Sequence, residues 1–447
     1  MSKTFRPWDV DQVWLLPPSI QDLVPAGHMA HFVRETVRDG LDLSRIMDSY
    51  SEDRGYPPYH PGLMVALLLY AYSQGVYSSR RIARGCEDRL DFAAVTGMQR
   101  PDFRTVSEFR KRHLEALSGL FVQVLKLCRT AGLVKLGHVA LDGTKIKANA
   151  SKHKAMSYGR MKEAEPKLAA EVHRWLAQAA QTDKAEDHEH GADKRGDEMP
   201  DWAANKQQRL AKIRAAKAEL EAEAHAVAVA ARAKQDDDGS AGAGGRGKSG
   251  RKPTPPSGVP DDKAQRNFTD PESRIMKTKD GFIQGYNAQA AVDGQAQIIV
   301  AHGLTASSND QAQMAPLLDG IKANTGRNPD EVSADAGYCS EANLRTVVRR
   351  RIDGFIATGR QRHGTEAAVN RRRQRSGSLA ARMTLKLKRA GRRSRYRLRK
   401  QIVEPVFGQI KHARGFRQFL LRGIEKVRDE WALICIAHNL TKLAAAA

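Results

Sequence analysis

The sequence of 447 residues has few cysteines and no long apolar run. Its cysteines are Cys86, Cys128, Cys339 and Cys435, and none of them is spaced as Cys-x-x-Cys. So few and so scattered cysteines argue against a disulfide scaffold and favour a reduced, intracellular protein. The longest apolar stretch, residues 63–72, is about half of the ~20 residues that a membrane span needs. We therefore expect a soluble, cytoplasmic protein with no membrane partner.

Acidic residues are scarce relative to basic ones. The chain has 51 Asp and Glu against 74 Lys and Arg, which gives a formal net charge of +23. An excess of this size indicates a polyanionic partner and is too large for an ordinary metabolic enzyme. The hydrophobic fraction of 41% excludes a disordered chain. The length corresponds to about three domains at ~150 residues each.

The pattern of apolar residues divides the chain. Up to residue 135 they recur at helical spacing, which predicts an all-α N-terminal domain over residues 1–135. Beyond that, short strand-like segments alternate with helical ones. Strands are predicted at 138–142, 281–292, 297–300, 332–334 and 355–357, and such interleaving is typical of an α/β domain. We assign this domain to residues 136–155 and 266–447.

More than a hundred residues separate the first two predicted strands. Apolar residues recur at helical spacing in two Ala-, Lys- and Glu-rich segments, which predicts an inserted antiparallel helical hairpin over residues 156–235. Residues 236–265 are interpreted as a flexible linker, because their Gly-rich first part cannot bury enough surface to become ordered. That part lacks the Gly-Lys-Ser/Thr ending of a phosphate-binding loop, so no nucleotide cofactor is expected.

Three acidic residues stand out by position. Asp142 is predicted to end the first strand, Asp335 ends the fourth, and Glu404 interrupts a mostly apolar segment. If the strands pair as predicted, the three carboxylates meet at one edge of the sheet, where they repel one another unless cations neutralise them. Mg²⁺ suits oxygen ligands and phosphate chemistry. Any one of these acids alone is more typical of a turn or cap residue, so both interpretations remain open.

A strongly basic segment precedes Glu404. Residues 361–400 contain fifteen Lys or Arg and one acid, Glu366, and they include the run Arg371, Arg372 and Arg373. Beside a metal site, such a block fits a clamp on a phosphate backbone, where each contact releases counterions. The alternative is a solvated basic tail.

Several strings, taken together and in order, resemble DDE-type transposases of bacterial insertion sequences. They are VALDGT (139–144), DPESR (270–274), GYNAQ (285–289), ADAGY (334–338), VEPVFGQIK (403–411), GFRQFLLRG (415–423) and AHNL (437–440). The similarity extends over most of the chain, and the N-terminal part resembles the helical DUF772 domain of such proteins. The resemblance implies an RNase H-like core with a mixed five-stranded sheet flanked by helices.

The resemblance also implies the chemistry. It implies that the catalytic acids are Asp142, Asp335 and Glu404. They would hold two divalent ions, which are Mg²⁺ or, as a substitute, Mn²⁺. Water first cleaves the DNA at the element's ends, and the freed 3′-hydroxyl then attacks target DNA. The implied partner is double-stranded DNA, both the terminal inverted repeats and the target. A homodimer on DNA is expected, because two ends are handled together.

The family's Tyr-x-x-Arg-x-x-x-Glu signature, completed by a lysine seven residues after the acid, is only partly present. Lys411 has the expected spacing from Glu404, but Lys400 stands at the arginine position and Tyr396 is one residue early, so Arg399 is the candidate replacement. The N-terminal helices are expected to recognise the element's ends. The predicted DNA contacts are Tyr396, Arg399, Lys400, Lys411, Arg371, Arg372, Arg373, Arg80, Arg81 and Arg84.

Two other functions fit the same residues. One is a catalytically inactive or domesticated DNA-binding protein that has kept the fold and the basic surface. The other is a metal-dependent nuclease without strand transfer. The presence of all three acids favours the transposase.

Overall fold

The structure is a computed structural model that describes residues 24–50, 58–190, 201–240, 257–359 and 377–447, together with Ser19 and Asp22. The basic run Arg371, Arg372 and Arg373 and residues 241–256 of the predicted linker lie outside the described residues. None of the helices in the described ranges has the length and apolar character that a bilayer crossing requires.

The N-terminal region is helical, as predicted. Its helices are α1 (Met29–Glu35), which continues into a π-helical turn (Thr36–Gly40), α2 (Ser44–Met47), α3 (Pro61–Ser73), α4 (Ser79–Asp88), α5 (Leu90–Thr96), α6 (Phe103–Arg112) and α7 (Leu114–Thr130). Pro61 occupies the first turn of α3, where its missing N–H costs no hydrogen bond. From Met64 to Ser73 every residue of α3 is buried, so this helix forms the centre of the region.

Two long helices, α8 (Tyr158–His190) and α9 (Asp201–Ser240), form the predicted inserted hairpin. They are antiparallel, since Glu165 of α8 pairs with Arg214 and Lys217 of α9, whereas Glu171 pairs with the earlier Lys206. An apolar cluster fills the seam near the base of the hairpin. It contains Tyr158, Met161, Ile213, Ala216 and Leu220. The second helix extends beyond residue 235, where the linker was predicted to begin.

The strands are β1 (His138–Lys147), β2 (Ala155–Ser157), β3 (Gln265–Asn267), β4 (Arg274–Thr278), β5 (Gly281–Asp293), β6 (Ile299–Thr305), β7 (Glu331–Ala334) and β8 (Asp353–Ile356). In the main sheet β1 is central, antiparallel to β5 and parallel to β7, and β8 is parallel to β7. The opposite edge of β5 pairs antiparallel with both β6 and β4. Strands β2 and β3 pair separately, at the base of the hairpin.

This mixed sheet, flanked by helices, is that of an RNase H-like core and contains all five predicted strands. A sixth strand, β4, was not predicted, because Met276 is its only buried residue and the segment has no alternating pattern.

Helices cover the sheet. They are α10 (Met314–Thr325), α11 (Glu341–Arg349), α12 (Leu379–Ala390), α13 (Leu398–Gly408) and α14 (Ile424–Ala444). The last of them contacts β6 as well as α3 and α7. Its Trp431 is completely buried and donates a hydrogen bond from Nε1 to the Gln289 carbonyl at 3.0 Å. One continuous apolar core therefore joins the N-terminal helices to the sheet.

Candidate active site

Strands β1 and β7 place Asp142 beside Asp335. The two strands are parallel and pair Leu141 with Ala334, and in each the next residue is the aspartate. Asp335 follows the end of its strand, as predicted, and its Oδ1 accepts a hydrogen bond from the Gly337 amide at 2.9 Å. The backbone register thus brings together two acids that are far apart in the sequence.

The prediction that Asp142 ends its strand was wrong. Strand β1 continues to Lys147, because residues 143–147 pair with residues 285–289 of the long strand β5. Pairing with β7, in contrast, stops at Leu141. Asp142 therefore lies in the middle of the central strand, at the point where one of its edges becomes unpaired.

Arg399 joins the third acid to the first. This residue lies in the first turn of α13, and Glu404 lies further along the same helix. The Arg399 guanidinium donates from Nη1 to Asp142 Oδ2 at 2.6 Å and from Nη2 to Glu404 Oε1 at 3.3 Å. Asp142 and Arg399 are mostly buried, with side chains 17% and 13% exposed, whereas Glu404 is 48% exposed. Glu404 is thus brought to the sheet edge through a shared cation.

The electrostatics of the site disfavour bare carboxylates. The pKa of Asp142 is raised to about 7, chiefly by burial; Arg399 opposes this shift, and the nearby charges of Asp335 and Asp310 add to it. Burial and the charge of Asp310 likewise raise the pKa of Asp335. Burial opposes the charge of Arg399, but Asp142 and the other anionic neighbours outweigh it and raise its pKa. The site therefore favours additional positive charge.

The donor set fits a hard divalent cation, although the acids do not surround a single point. Asp142 and Asp335 offer adjacent carboxylate oxygens, which Mg²⁺ and Mn²⁺ prefer. Within the described part of the chain, no group of three Asp, Glu, His or Cys side chains is close enough to hold a metal ion. Arg399 instead supplies the neutralising charge between Asp142 and Glu404.

A fourth acid, Asp310, was missed by the sequence analysis. Its Oδ1 accepts hydrogen bonds from Asn287 Nδ2 and Gln289 Nε2, both at 2.7 Å. Gly143, next to Asp142, makes this approach possible, because a Cβ there would lie 2.3 Å from Gln289 Nε2 and 2.7 Å from Asp310 Oδ1. A Cβ on Gly337 would similarly lie 3.1 Å from Asp310 Oδ2.

A signal for Asp310 was present in the sequence. Asn287 and Gln289 share one parity of an otherwise apolar strand, and both are buried in the structure. Buried amides require hydrogen-bond partners. Asp310 is one partner, and the Tyr338 hydroxyl, which donates to Gln289 Oε1, is another. The identity of the partners depends on tertiary structure and was not readable from the pattern.

Five more of the predicted DNA contacts lie beside Arg399 or on α4. Tyr396 precedes α13 and is half-buried, and this burial raises its pKa, while Lys400 is exposed on the helix. On α4, Ile82 and Cys86 face the core, and the opposite face exposes three arginines. These are Arg80, which lies over the Phe103 ring, Arg81, and Arg84, which pairs with Asp88.

Lys411 follows α13 in a π-helical turn and reaches back to the sheet. Its Nζ donates to Thr144 Oγ1 at 2.9 Å and to the Lys145 carbonyl at 3.0 Å. This contact places a cation on β1, two residues beyond Asp142.

The sheet order, with two acids on adjacent parallel strands, is that of an RNase H-like core. Residues 253–440 match the family model of the transposase DDE domain, and residues 18–112 match that of a transposase domain, DUF772. The chain therefore belongs to the DDE transposases with a DUF772 N-terminal domain, whose substrate is DNA and which use divalent metal ions. The DDE match includes Asp335 and Glu404 and begins after Asp142. No curated protein and no solved structure matches the chain.

Proposed function

We propose that the protein binds the ends of an insertion sequence and catalyses DNA strand cleavage followed by strand transfer. One observation carries the proposal: Asp142 and Asp335 are neighbours across two strands, and Arg399 joins Glu404 to the first of them. These three acids are separated by long stretches of sequence, so their approach is a property of the fold. The match to transposase families supports the same reading.

In this proposal Asp142, Asp335 and Glu404 hold two divalent cations, Mg²⁺ or its substitute Mn²⁺. When bound, such cations activate the attacking hydroxyl and stabilise the leaving oxygen of a phosphodiester. The contribution of the protein is to fix the two aspartates by strand register and to bury them, since burial strengthens their interaction with positive charge.

Arg399 has a separate role. Without other cations its guanidinium pairs with the buried Asp142 and with the more exposed Glu404 and so neutralises their charge. When divalent cations take over that role, the guanidinium becomes available for a DNA phosphate, for which its planar fork is well suited. Tyr396 and Lys400, within one turn of Arg399, would contact the same backbone.

A basic groove of about 640 Å³ supports contact with DNA. It begins at the C-terminal end of β1, and its cations are Lys145, Lys147, Lys152, Lys411 and Arg417. Among the described residues, Asp280 is the one acid that lines it. Burial, and to a smaller extent the charge of Arg417, lowers the pKa of Lys411. A phosphate in the groove would relieve this repulsion.

The N-terminal helices are proposed to recognise the terminal inverted repeats through Arg80, Arg81 and Arg84, which α4 exposes on one face. The run Arg371, Arg372 and Arg373 is proposed as a further backbone clamp. Because two element ends must be cut and joined together, we propose a homodimer on DNA.

The test is a strand-transfer assay with DNA that carries the element's own ends, a target plasmid and Mg²⁺. Wild-type protein should cut the ends and join them to the plasmid, and Asp142→Asn should abolish both steps while it still binds the ends. Cuts without joining would indicate a nuclease, and binding alone an inactive DNA-binding protein. Residual cutting by Asp142→Asn would remove Asp142 from the mechanism.

A further inference from the structure

A second basic groove lies at the base of the inserted hairpin. It has a volume of about 510 Å³, and no acidic residue of the described chain lines it. The cations that line it are Lys154, Arg160, Arg209 and Lys212, and Asn205 and Gln208 add polar groups. All six side chains are exposed.

The glutamates of the hairpin that form ion pairs do so outside the groove. Four of its glutamates form ion pairs elsewhere. These are Glu165 with Arg214 and Lys217, Glu171 with Lys206, Glu219 with Arg266, and Glu223 with Arg266 and Arg274. In the described part of the chain, the four cations of the groove form no ion pair. The groove therefore presents four exposed cations that pair with no carboxylate of the described chain, as expected for a surface that meets a polyanion.

Helical periodicity fixes the relative positions of two of these cations, Arg209 and Lys212. Asn205, Gln208, Arg209 and Lys212 recur at steps of three and four and so share one face of α9. Leu210, Ile213, Ala216 and Leu220 occupy the buried face. The groove is thus part of a packed element whose orientation is set by its apolar seam.

The groove is continuous in sequence with the groove that begins on β1, three residues beyond Asp142. A short 3₁₀ turn, Lys152–Lys154, separates the two. Lys152 lines the groove that contains Lys411, whereas His153 and Lys154 line the groove of the hairpin. The Asn267 side chain donates to the Ser151 carbonyl at 2.8 Å and so ties this turn to β3. Consecutive residues of one anchored turn thus connect the groove on β1 to the groove of the hairpin.

We propose that the inserted hairpin is a second DNA clamp, in which Lys154, Arg160, Arg209 and Lys212 bind the phosphate backbone of the duplex that leaves the acid site. The ligand is double-stranded DNA, bound through its backbone and without regard to sequence. This inference rests on the proposed function, because the neighbouring acid site identifies which polyanion is bound. It gives the insertion a role in holding DNA.

The test measures the salt dependence of DNA binding by the full chain. The probe is a labelled 40-base-pair duplex of arbitrary sequence, titrated in EDTA at several NaCl concentrations. For Arg209→Gln combined with Lys212→Gln, the slope of log K against log [NaCl] should become shallower by about 2, and affinity at 0.1 M salt should fall about tenfold or more. Both residues are exposed, so the melting temperature should stay unchanged.

The control is Lys206→Gln combined with Arg214→Gln. It removes the same charge from the same helix, at cations that are ion-paired with glutamates. Its slope should change by much less than that of the groove variant. Equal changes in the two variants, or tighter binding of an RNA duplex than of DNA, would overturn the clamp.

Strand transfer, measured in parallel, separates this inference from the proposed function. If wild-type protein cuts and joins DNA while the groove variant keeps the wild-type salt slope, the clamp is wrong and the chemistry stands. If the groove variant binds as expected while wild-type protein neither cuts nor joins, the clamp stands and the transposase chemistry is wrong.

Discussion

The acid site and the inserted hairpin place their charges by different means. Asp142 and Asp335 are held by strand pairing between distant segments, and burial raises the pKa of both. Arg209 and Lys212 are exposed on one helix, and local periodicity alone sets their relation. Burying a carboxylate costs free energy, and strand pairing fixes its position. An exposed cation on a helix costs little free energy, and its position can vary more. Substitutions in the two regions should therefore differ in kind as well as in size.

The largest effect is expected for Asp335→Asn. The neutral side chain keeps the shape of the aspartate but weakens its hold on a divalent cation, so cutting and joining should fall by at least about a thousandfold. DNA binding in EDTA should stay close to wild type. The matched control is Asp319→Asn, which removes an exposed acid that pairs with Arg350 on the covering helices. Strand transfer by Asp335→Asn within tenfold of wild type would contradict its place in the site.

A smaller effect is expected from a single methyl group at Gly143. In Gly143→Ala the Cβ would meet Gln289 Nε2 at 2.3 Å and Asp310 Oδ1 at 2.7 Å, so the network must shift. We expect a loss of about 1–3 kcal/mol in the free energy of unfolding, measured with urea, and reduced strand transfer.

The control for this prediction is Gly303→Ala in β6. There the nearest heavy atom to a new Cβ is Gln289 Cβ at 3.7 Å, an ordinary contact. This variant should unfold close to wild type. If the two alanine variants were equally stable, the close packing of Asp310 against Gly143 would be refuted.

A third prediction concerns pH. Because the pKa of Asp142 is raised from 3.8 to about 7, its protonated form stabilises the metal-free protein at low pH, and this stabilisation is lost as the pH rises through 7. Asp142→Asn stays neutral, so its melting temperature in EDTA should exceed that of wild type by about a few degrees at pH 8 and by less at pH 5.

Mg²⁺ should affect the melting temperatures of wild-type protein and Asp142→Asn differently. It should raise the melting temperature of wild-type protein at pH 8 much more than that of Asp142→Asn, since ligand binding stabilises only the form that binds. A difference between the two proteins that is the same at both pH values would show that the charge of Asp142 carries no such cost.

The smallest effect is expected in the hairpin, for Glu171→Gln. This change breaks one exposed ion pair with Lys206, and such pairs contribute little, so the free energy of unfolding should change by less than about 0.5 kcal/mol. DNA affinity should rise slightly, because a negative charge is removed. A loss above 1 kcal/mol in urea unfolding would mean that the hairpin depends on its surface ion pairs.

The sequence predicted those parts of the fold that depend on local pattern. The five core strands, the helical N-terminal region and the inserted hairpin each have a periodic apolar signal, and all are present. The extension of β1 past Asp142 was missed, because Thr144, Lys145 and Lys147 are polar and only pairing with β5 makes them a strand.

The candidate site was predictable to a lesser extent. The resemblance pointed to Asp142, Asp335 and Glu404, but the ion pairs of Arg399 and the hydrogen bonds of Asp310 join residues far apart in the chain. Such contacts depend on strand register and helix packing, which no local spacing encodes. The roles of the three acids remain a prediction.

The most direct test of the account is a structure of the protein bound to DNA with Mn²⁺, located by its anomalous scattering. We predict Mn²⁺ within coordination distance of Asp142, Asp335 and Glu404, with Arg399 displaced from the two acids and turned towards a phosphate. Mn²⁺ bound elsewhere, with Arg399 still joining Asp142 to Glu404 beside the DNA, would contradict the proposed chemistry.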